Sequence, residues 1–255
     1  MLRFPFPGTA LFEGAYFAPE DLPNYYLPKL IGIQITEPAL ICFALGVGAL
    51  IYLVFKNQRA YFELSFISFF WLFAPVIWAV VGDSNLYDDF RQLHFILPPL
   101  FLIAGLGLRP LFQKLNAPYL KVLILVLLII PGITGYLRLF PYEYTYYNSF
   151  AGKPTFRQYE SDYWATSFRE ASRFLNEAAP LNSKVVVWGP VSTISSYLRP
   201  DIEATGYDQG LLPDGPYYAL IISRFENDLI IHPDIPVLFA IEKDGAILSV
   251  IKYIE

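Results

Sequence analysis

The sequence predicts an α-helical polytopic membrane region of about four transmembrane helices, followed by a small α/β extracytoplasmic domain. Three observations predict it. Hydrophobic residues make up 55% of the 255 residues and charged residues only 16%, against about 25% charged in a soluble domain, and the mean hydropathy is +0.41. The apolar residues crowd between Thr36 and Leu137, whereas 25 of the 41 charged residues lie from Arg138 onward. The loops between the apolar runs also alternate in charge, the pattern of a chain threaded through a bilayer.

The elements follow in order. Residues 1–35 form an extracytoplasmic loop and an interfacial helix. Met1 to Pro28 is rich in Pro, Tyr and Phe and reads as a loop, with no apolar core of a signal peptide behind Arg3. Asn24–Ile35 (NYYLPKLIGIQI) reads either as an interfacial helix with Tyr25 and Tyr26 at headgroup level or as an apolar lead-in to the first span. Residues 36–137 form the transmembrane region, with spans near 36–55, 62–81, 93–112 and 118–137. Pro38–Phe55 and Leu64–Val81 each hold 18 residues without a charge, close to the ~20 apolar residues that a bilayer core requires. The third and fourth spans hold Pro98–Pro99 and Pro131–Gly132 and are expected to kink there. Arg109 and Lys121 can snorkel and lengthen them.

Loop charge orients the chain. Lys56 and Arg59 face the single acid Glu63 between the first two spans, and Arg109, Lys114 and Lys121 lie between the last two with no acid. The loop between the second and third spans, GDSNLYDDFRQ, carries three acids against Arg91. Lysine and arginine mark the cytoplasmic side. The chain is therefore expected in the plasma (inner) membrane as a multi-pass protein, with its N-terminus and its C-terminal domain extracytoplasmic.

Residues 138–255 form that domain. Thr166–Ala178 places Phe168, Ala171, Phe174 and Leu175 at helical spacing ahead of Pro180. Lys184–Trp188 and Tyr217–Ile222 read as buried strands, and Val237–Ile241 with Ala246–Tyr253 as a hairpin around Lys243-Asp244-Gly245. Interleaved helix and strands imply a small α/β layer.

Composition also excludes. A net charge of −5 with no basic stripe argues against nucleic acid. Cys42, the one cysteine, sits in an apolar run and reads as a buried hydrophobe, while His94 and His232 are too few and too far apart for zinc. No phosphate loop, nucleophile elbow or metal-ligand helix occurs, so neither metal nor cofactor is expected.

Chemistry concentrates at Tyr87-Asp88-Asp89-Phe90-Arg91-Gln92-Leu93-His94. Two acids, a guanidinium and an imidazole stand where a helix meets the membrane, at the depth of a lipid headgroup, and arginine grips phosphate bidentately. The plainer reading makes the acids ordinary outer-loop charges and Arg91 an interfacial anchor. The run Pro141–Asn148 (PYEYTYYN) reads as an aromatic belt, with a sugar- or isoprenoid-stacking platform as the alternative. Glu160, Asp162, Tyr163 and Trp164 lack the spacing of a glycosidase pair and are expected to dock the domain on the membrane part.

Four stretches in order, LPNYYLPKLIGIQITEPAL, YDDFRQLHFILPPLFLIAGLGL, PYEYTYYNSFAG and ESDYWATSFREASRFLNEAAP, resemble the C-terminal half of bacterial family 39-like membrane glycosyltransferases. These are relatives of the protein mannosyltransferases with the C-type fold. The resemblance implies an enzyme taking sugar from a polyprenyl-phosphate donor on the outer face. It implies a donor-phosphate role for Arg91 and His94, with Asp88, Asp89 and Tyr87 as polar support. The catalytic aspartate of such enzymes lies in a first outer loop that has no counterpart here, and Asp88 and Asp89 are not equated with it. The chain is accordingly expected to be a truncated, split or mispredicted product, inactive alone, whose partners are membrane lipid, the sugar donor and a separate chain carrying the N-terminal half. The alternative is a non-catalytic, membrane-anchored glycan- or partner-binding or assembly protein. A small transporter is a weaker third reading, because the spans hold no internal acid or lysine.

Overall fold

The computed structural model describes residues 8–56, 59–82, 84–152, 155–209 and 212–255, without the side chains of 59–62 and 64. Asp83 and the segment 1–7, both used above, lie outside the described residues. Two compact units emerge. Residues 1–138 and 146–153 form the first, and residues 139–145 and 154–255 the second.

The first unit opens with a hairpin where a loop was expected. Strands β1 (Ala10–Phe12) and β2 (Ala15–Phe17) pair antiparallel with Phe12 opposite Ala15. The two residues between them, Glu13 and Gly14, both have positive φ (52° and 79°), as a tight two-residue hairpin turn demands. Helix α1 (Tyr26–Gln34) follows within the 24–35 stretch. Tyr26 is not at a surface, however. It is buried with its ring edge-on to Phe12 at 4.9 Å, while Tyr25 is exposed and donates to Glu13 at 2.9 Å.

Four long helices follow among the described residues: α2 (Glu37–Phe55), α3 (Arg59–Val81), α4 (Leu97–Lys114) and α5 (Pro118–Leu139). Three apolar helical stretches, 37–55, 91–114 and 118–139, are long enough to cross a membrane, and Ser65–Val81 is a shorter apolar one. The expected kink at Pro98–Pro99 is absent. Both prolines occupy the first turn of α4, where their missing N–H has no helical partner to lose. The irregularity lies just ahead, in the 3₁₀ helix Arg91–Ile96, where Leu93 is non-helical (φ −113°, ψ 15°). Helix α5 runs on through Pro131.

Helix α2 packs chiefly on α4. The buried residues of α2 are Cys42, Gly46 and Leu50, and those of α4 include Leu100, Ile103 and Ala104. A Cβ on Gly46 would collide with the Ile103 carbonyl, and one on Gly107 would lie 2.6 Å from the Gly46 nitrogen. Glycine therefore lets the two backbones touch. Elsewhere these helices expose large apolar side chains, among them Ile41, Phe70, Trp78 and Val126.

The second unit is a five-stranded mixed sheet in the order β4-β3-β5-β7-β6, with β3 (Lys184–Trp188), β4 (Glu203–Gly206), β5 (Tyr217–Ile222), β6 (Val237–Lys243) and β7 (Ala246–Ile254). Strands β4, β3 and β5 are parallel, and β7 and β6 are antiparallel additions. Every residue of β5 is buried, as expected of a strand covered on both faces. Helix α6 (Phe168–Ala178) buries Phe168, Ala171 and Leu175 against Val185, Val187 and Leu220. Phe174 is only partly buried and stacks on Phe239 at 4.3 Å. The β6–β7 turn is Asp244-Gly245, both at positive φ. Short helices α7 (Ser192–Ser195) and α8 (Asn227–Ile230) follow β3 and β5.

Candidate functional site

The Tyr87–His94 segment leads into α4. Asp88 and Asp89 both adopt left-handed backbone (φ 50° and 66°), which aspartate tolerates better than most residues. This double turn carries both carboxylates inward, and both are buried. Asp88 Oδ2 receives an ion pair from Arg91 Nη2 at 2.8 Å. The Arg91 guanidinium lies over the Tyr87 ring, 5.1 Å from its centroid. Tyr87 is tied down in turn, because Gln92 Nε2 donates to its carbonyl at 2.7 Å.

Tyr87, Asp88 and Arg91 therefore form one group. Asp89 is turned to a different partner: Tyr147 donates to its Oδ1 at 3.1 Å. His94 is exposed and meets the Phe90 ring edge-on at 5.4 Å. Arg91 keeps 22% of its side chain exposed while Asp88 keeps 4%. The arrangement can hold a guanidinium in one orientation at the head of an apolar helix and still let it meet a solvent-borne anion.

Sequence reasoning missed Asn148. Its backbone N–H donates to Ile33 O at 2.7 Å, and its side-chain amide donates to Gly32 O and Ile35 O at 2.8 and 2.6 Å. These carbonyls end α1 and have no intrahelical partner. The same side chain accepts from Phe150 N at 2.8 Å, and the next residue, Ser149, donates its N–H to Glu37 at 2.8 Å. Contacts more than a hundred residues apart leave no local signature; only an asparagine amid tyrosines was visible.

The Glu160–Trp164 group works inside the second unit. Asp162 accepts from Thr166 N and Ser167 N at 2.8 and 3.0 Å, at the start of α6, and from the Tyr144 hydroxyl. Burial, and next the Asp162 charge, push the Tyr144 hydroxyl far above its ordinary value. Glu160 is buried beside Arg224 at 3.5 Å. Trp164 is exposed.

A second polar-aromatic cluster lies along one face of the sheet, from the carboxyl ends of β3 and β4 to the amino end of β5. Trp188, the last residue of β3, is buried, and Tyr207, just past β4, stacks on it at 5.1 Å and 22°. His232 meets Trp188 edge-on at 5.4 Å, and its Nε2 lies 3.3 Å from the Tyr217 hydroxyl. Burial, and then the Lys252 charge, lower the His232 pKa. Lys252 is itself buried and donates to the carbonyls of Asp228, Ile231 and His232 at 3.1, 2.8 and 3.0 Å. Trp188 Nε1 is buried and has no hydrogen-bond partner among the described residues. The chain runs from β3 out to β4 and back past β3 to β5, which puts the reversal between β3 and β5, on the other side of β3 from Tyr207.

No group of three or more metal-ligating side chains occurs among the described residues. Comparison of the chain with protein families, with curated proteins and with solved structures returns no match.

Proposed function

We propose that the chain is the C-terminal membrane and extracytoplasmic portion of a glycosyltransferase that uses a polyprenyl-phosphate-linked sugar. Helices α2 to α5 are the spans. A water-soluble unit rarely exposes this much contiguous apolar surface, and the alternating loop charges set the second unit outside. The observation that carries the reading is Arg91, held by Asp88 and Tyr87 at the first residue of the apolar stretch 91–114. In the reaction, the acceptor attacks the sugar's anomeric carbon with a carboxylate as base, and polyprenyl phosphate leaves. Arg91 stabilises that phosphate, and His94 is the nearby second donor. Asp88 and Asp89, buried and engaged, are not assigned as that base.

Binding of a polyprenyl-phosphate analogue to the purified chain, with any N-terminal partner chain present, tests this. Arg91→Lys keeps the charge but loses the planar fork, and it should weaken binding by about 1–3 kcal/mol. Equal affinity of wild type, Arg91→Lys and Arg91→Ala, all folded, leaves Arg91 as an interfacial anchor and removes the reading's physical support.

A second reading, a membrane-anchored glycan-binding protein, draws on the Trp188 cluster. An aromatic pair with a buried indole N–H suits a sugar ring and one of its hydroxyls. Soluble envelope oligosaccharides should then protect the second unit against thermal unfolding in wild type but not in Tyr207→Ala. No protection in either would discard it.

A further inference from the structure

A cavity of about 700 Å³ opens between the last turns of α4 and the first turns of α5. Its wall is graded. On α4, Gly105 lies one turn deeper than Arg109; on α5, Leu125 lies one turn deeper than Lys121. Gly105 and Leu125 thus lie toward the helix middles, and both cations lie nearer the connecting residues 115–117, where Phe112 and Leu115 add apolar side chains. Gly105 opens onto free space, with no atom within 4 Å of where a Cβ would stand. Arg109 and Lys121 are both half-buried, and no acid among the described residues lines the cavity. Gln113 and Asn116 add polar groups at the same end.

A cavity with two cations at its mouth and a greasy floor matches one ligand class. Its phosphate needs compensation that water-exposed lysines supply weakly and half-buried ones supply better. Its chain needs an apolar slot parallel to the helices. We propose that this cavity binds an anionic phospholipid, with the headgroup phosphate between Arg109 and Lys121 and an acyl chain along Gly105 and Leu125. The proposal rests on α4 and α5 lying in a bilayer, as read above, and by loop charge the site faces the cytoplasmic leaflet, where anionic lipid exerts its field.

The experiment reconstitutes the full chain in phosphatidylcholine bilayers carrying spin-labelled phosphatidylglycerol, and measures its selectivity against spin-labelled phosphatidylcholine. Wild type should prefer phosphatidylglycerol. Lys121→Gln should reduce the preference about fivefold, and Arg109→Gln with Lys121→Gln should bring it close to the phosphatidylcholine value. Lys56→Gln, which removes a cation outside the cavity, should leave it unchanged. The proposal is overturned by no preference in wild type, by an undiminished preference in the double variant, or by an equal loss in Lys56→Gln, which would mean diffuse surface charge. Competition by inorganic phosphate would make the site one for free phosphate and also overturn it. Retained alkylation protection of Cys42 shows that a variant is folded. A chain that fails to enter the bilayer defeats the membrane reading, whereas one that enters without selectivity defeats only this site.

Discussion

Gly46→Ala should loosen the α2–α4 seam, and the molecule carries its own reporter. A Cβ at Gly46 would lie 2.6 Å from the carbonyl carbon of Ile103, and nearer still to its oxygen. Comfortable carbon contacts are about 3.5–4.0 Å, so the helices must part by roughly 1 Å. Both atoms met are backbone, which no rotamer change can move aside. Overpacking of this kind costs about 1–3 kcal/mol. Cys42, one turn away on the same stripe, is a free thiol only 6% exposed. Its alkylation by a membrane-permeant maleimide requires the seam to open, so its rate follows the opening equilibrium. A cost of about 2 kcal/mol should raise that rate roughly thirtyfold. Gly48→Ala is the control, because a Cβ there meets nothing within 4 Å. Equal Cys42 rates in Gly46→Ala and Gly48→Ala would refute the close-approach argument.

Asn148→Ala should destabilise the first unit by about 1–3 kcal/mol by stranding the carbonyls of Gly32 and Ile35; an unchanged thermal midpoint in detergent would contradict this. Tyr142 and Tyr144 are held above the ordinary tyrosine value of 10.0 by burial first and then by Glu170 and Asp162 respectively. Their contribution is intact below that value; above it the unfolded chain ionises first, and stability should fall with rising pH by up to about 1.4 kcal/mol per unit for each group. The loss of urea resistance between about pH 9 and about pH 11 should therefore be smaller in Tyr144→Phe, and an identical loss would exclude that residue. Cysteines placed at Asn85 and Asn182 should react with an impermeant thiol reagent on sealed cells and one at Asn116 should not; labelling at 116 would reverse the orientation.

The helices and the second unit's main strands were legible because their signals are local. Eighteen-residue apolar runs, the Phe168/Ala171/Leu175 spacing and the Asp244-Gly245 turn each speak for themselves. Strand β4 was invisible because its four residues, EATG, gain strand character only from pairing with β3. The β1–β2 hairpin escaped for the same reason, with three residues a side. Pro98–Pro99 misled because a proline pair reads as a break until the helix start is located. At the site, Asp88 pairs with Arg91, the polar support expected of the neighbouring acids. The diversion of Asp89 to Tyr147 was not legible, because a partner 58 residues away cannot be read from the loop.

The run PYEYTYYN shows how one composition serves two destinations. It looked like a single aromatic belt, yet its residues divide at Thr145–Tyr146 between the two units. Tyr142 is buried in the second unit's core and donates to Glu170 at 3.0 Å, and Tyr144 bonds Asp162 at the start of α6. Tyr147 and Asn148 bond Asp89 and the end of α1 in the first unit. A soluble version of the second unit cut at Phe150 therefore omits part of its own core. Removing a buried aromatic costs about 3–5 kcal/mol, against a total of about 5–15 for a domain, and Asp162 loses a hydroxyl donor besides. A chain begun at Leu139 should thus unfold at a clearly higher urea concentration than one begun at Phe150. Coincident midpoints would mean that Tyr142 and Tyr144 rest on the second unit without stabilising it.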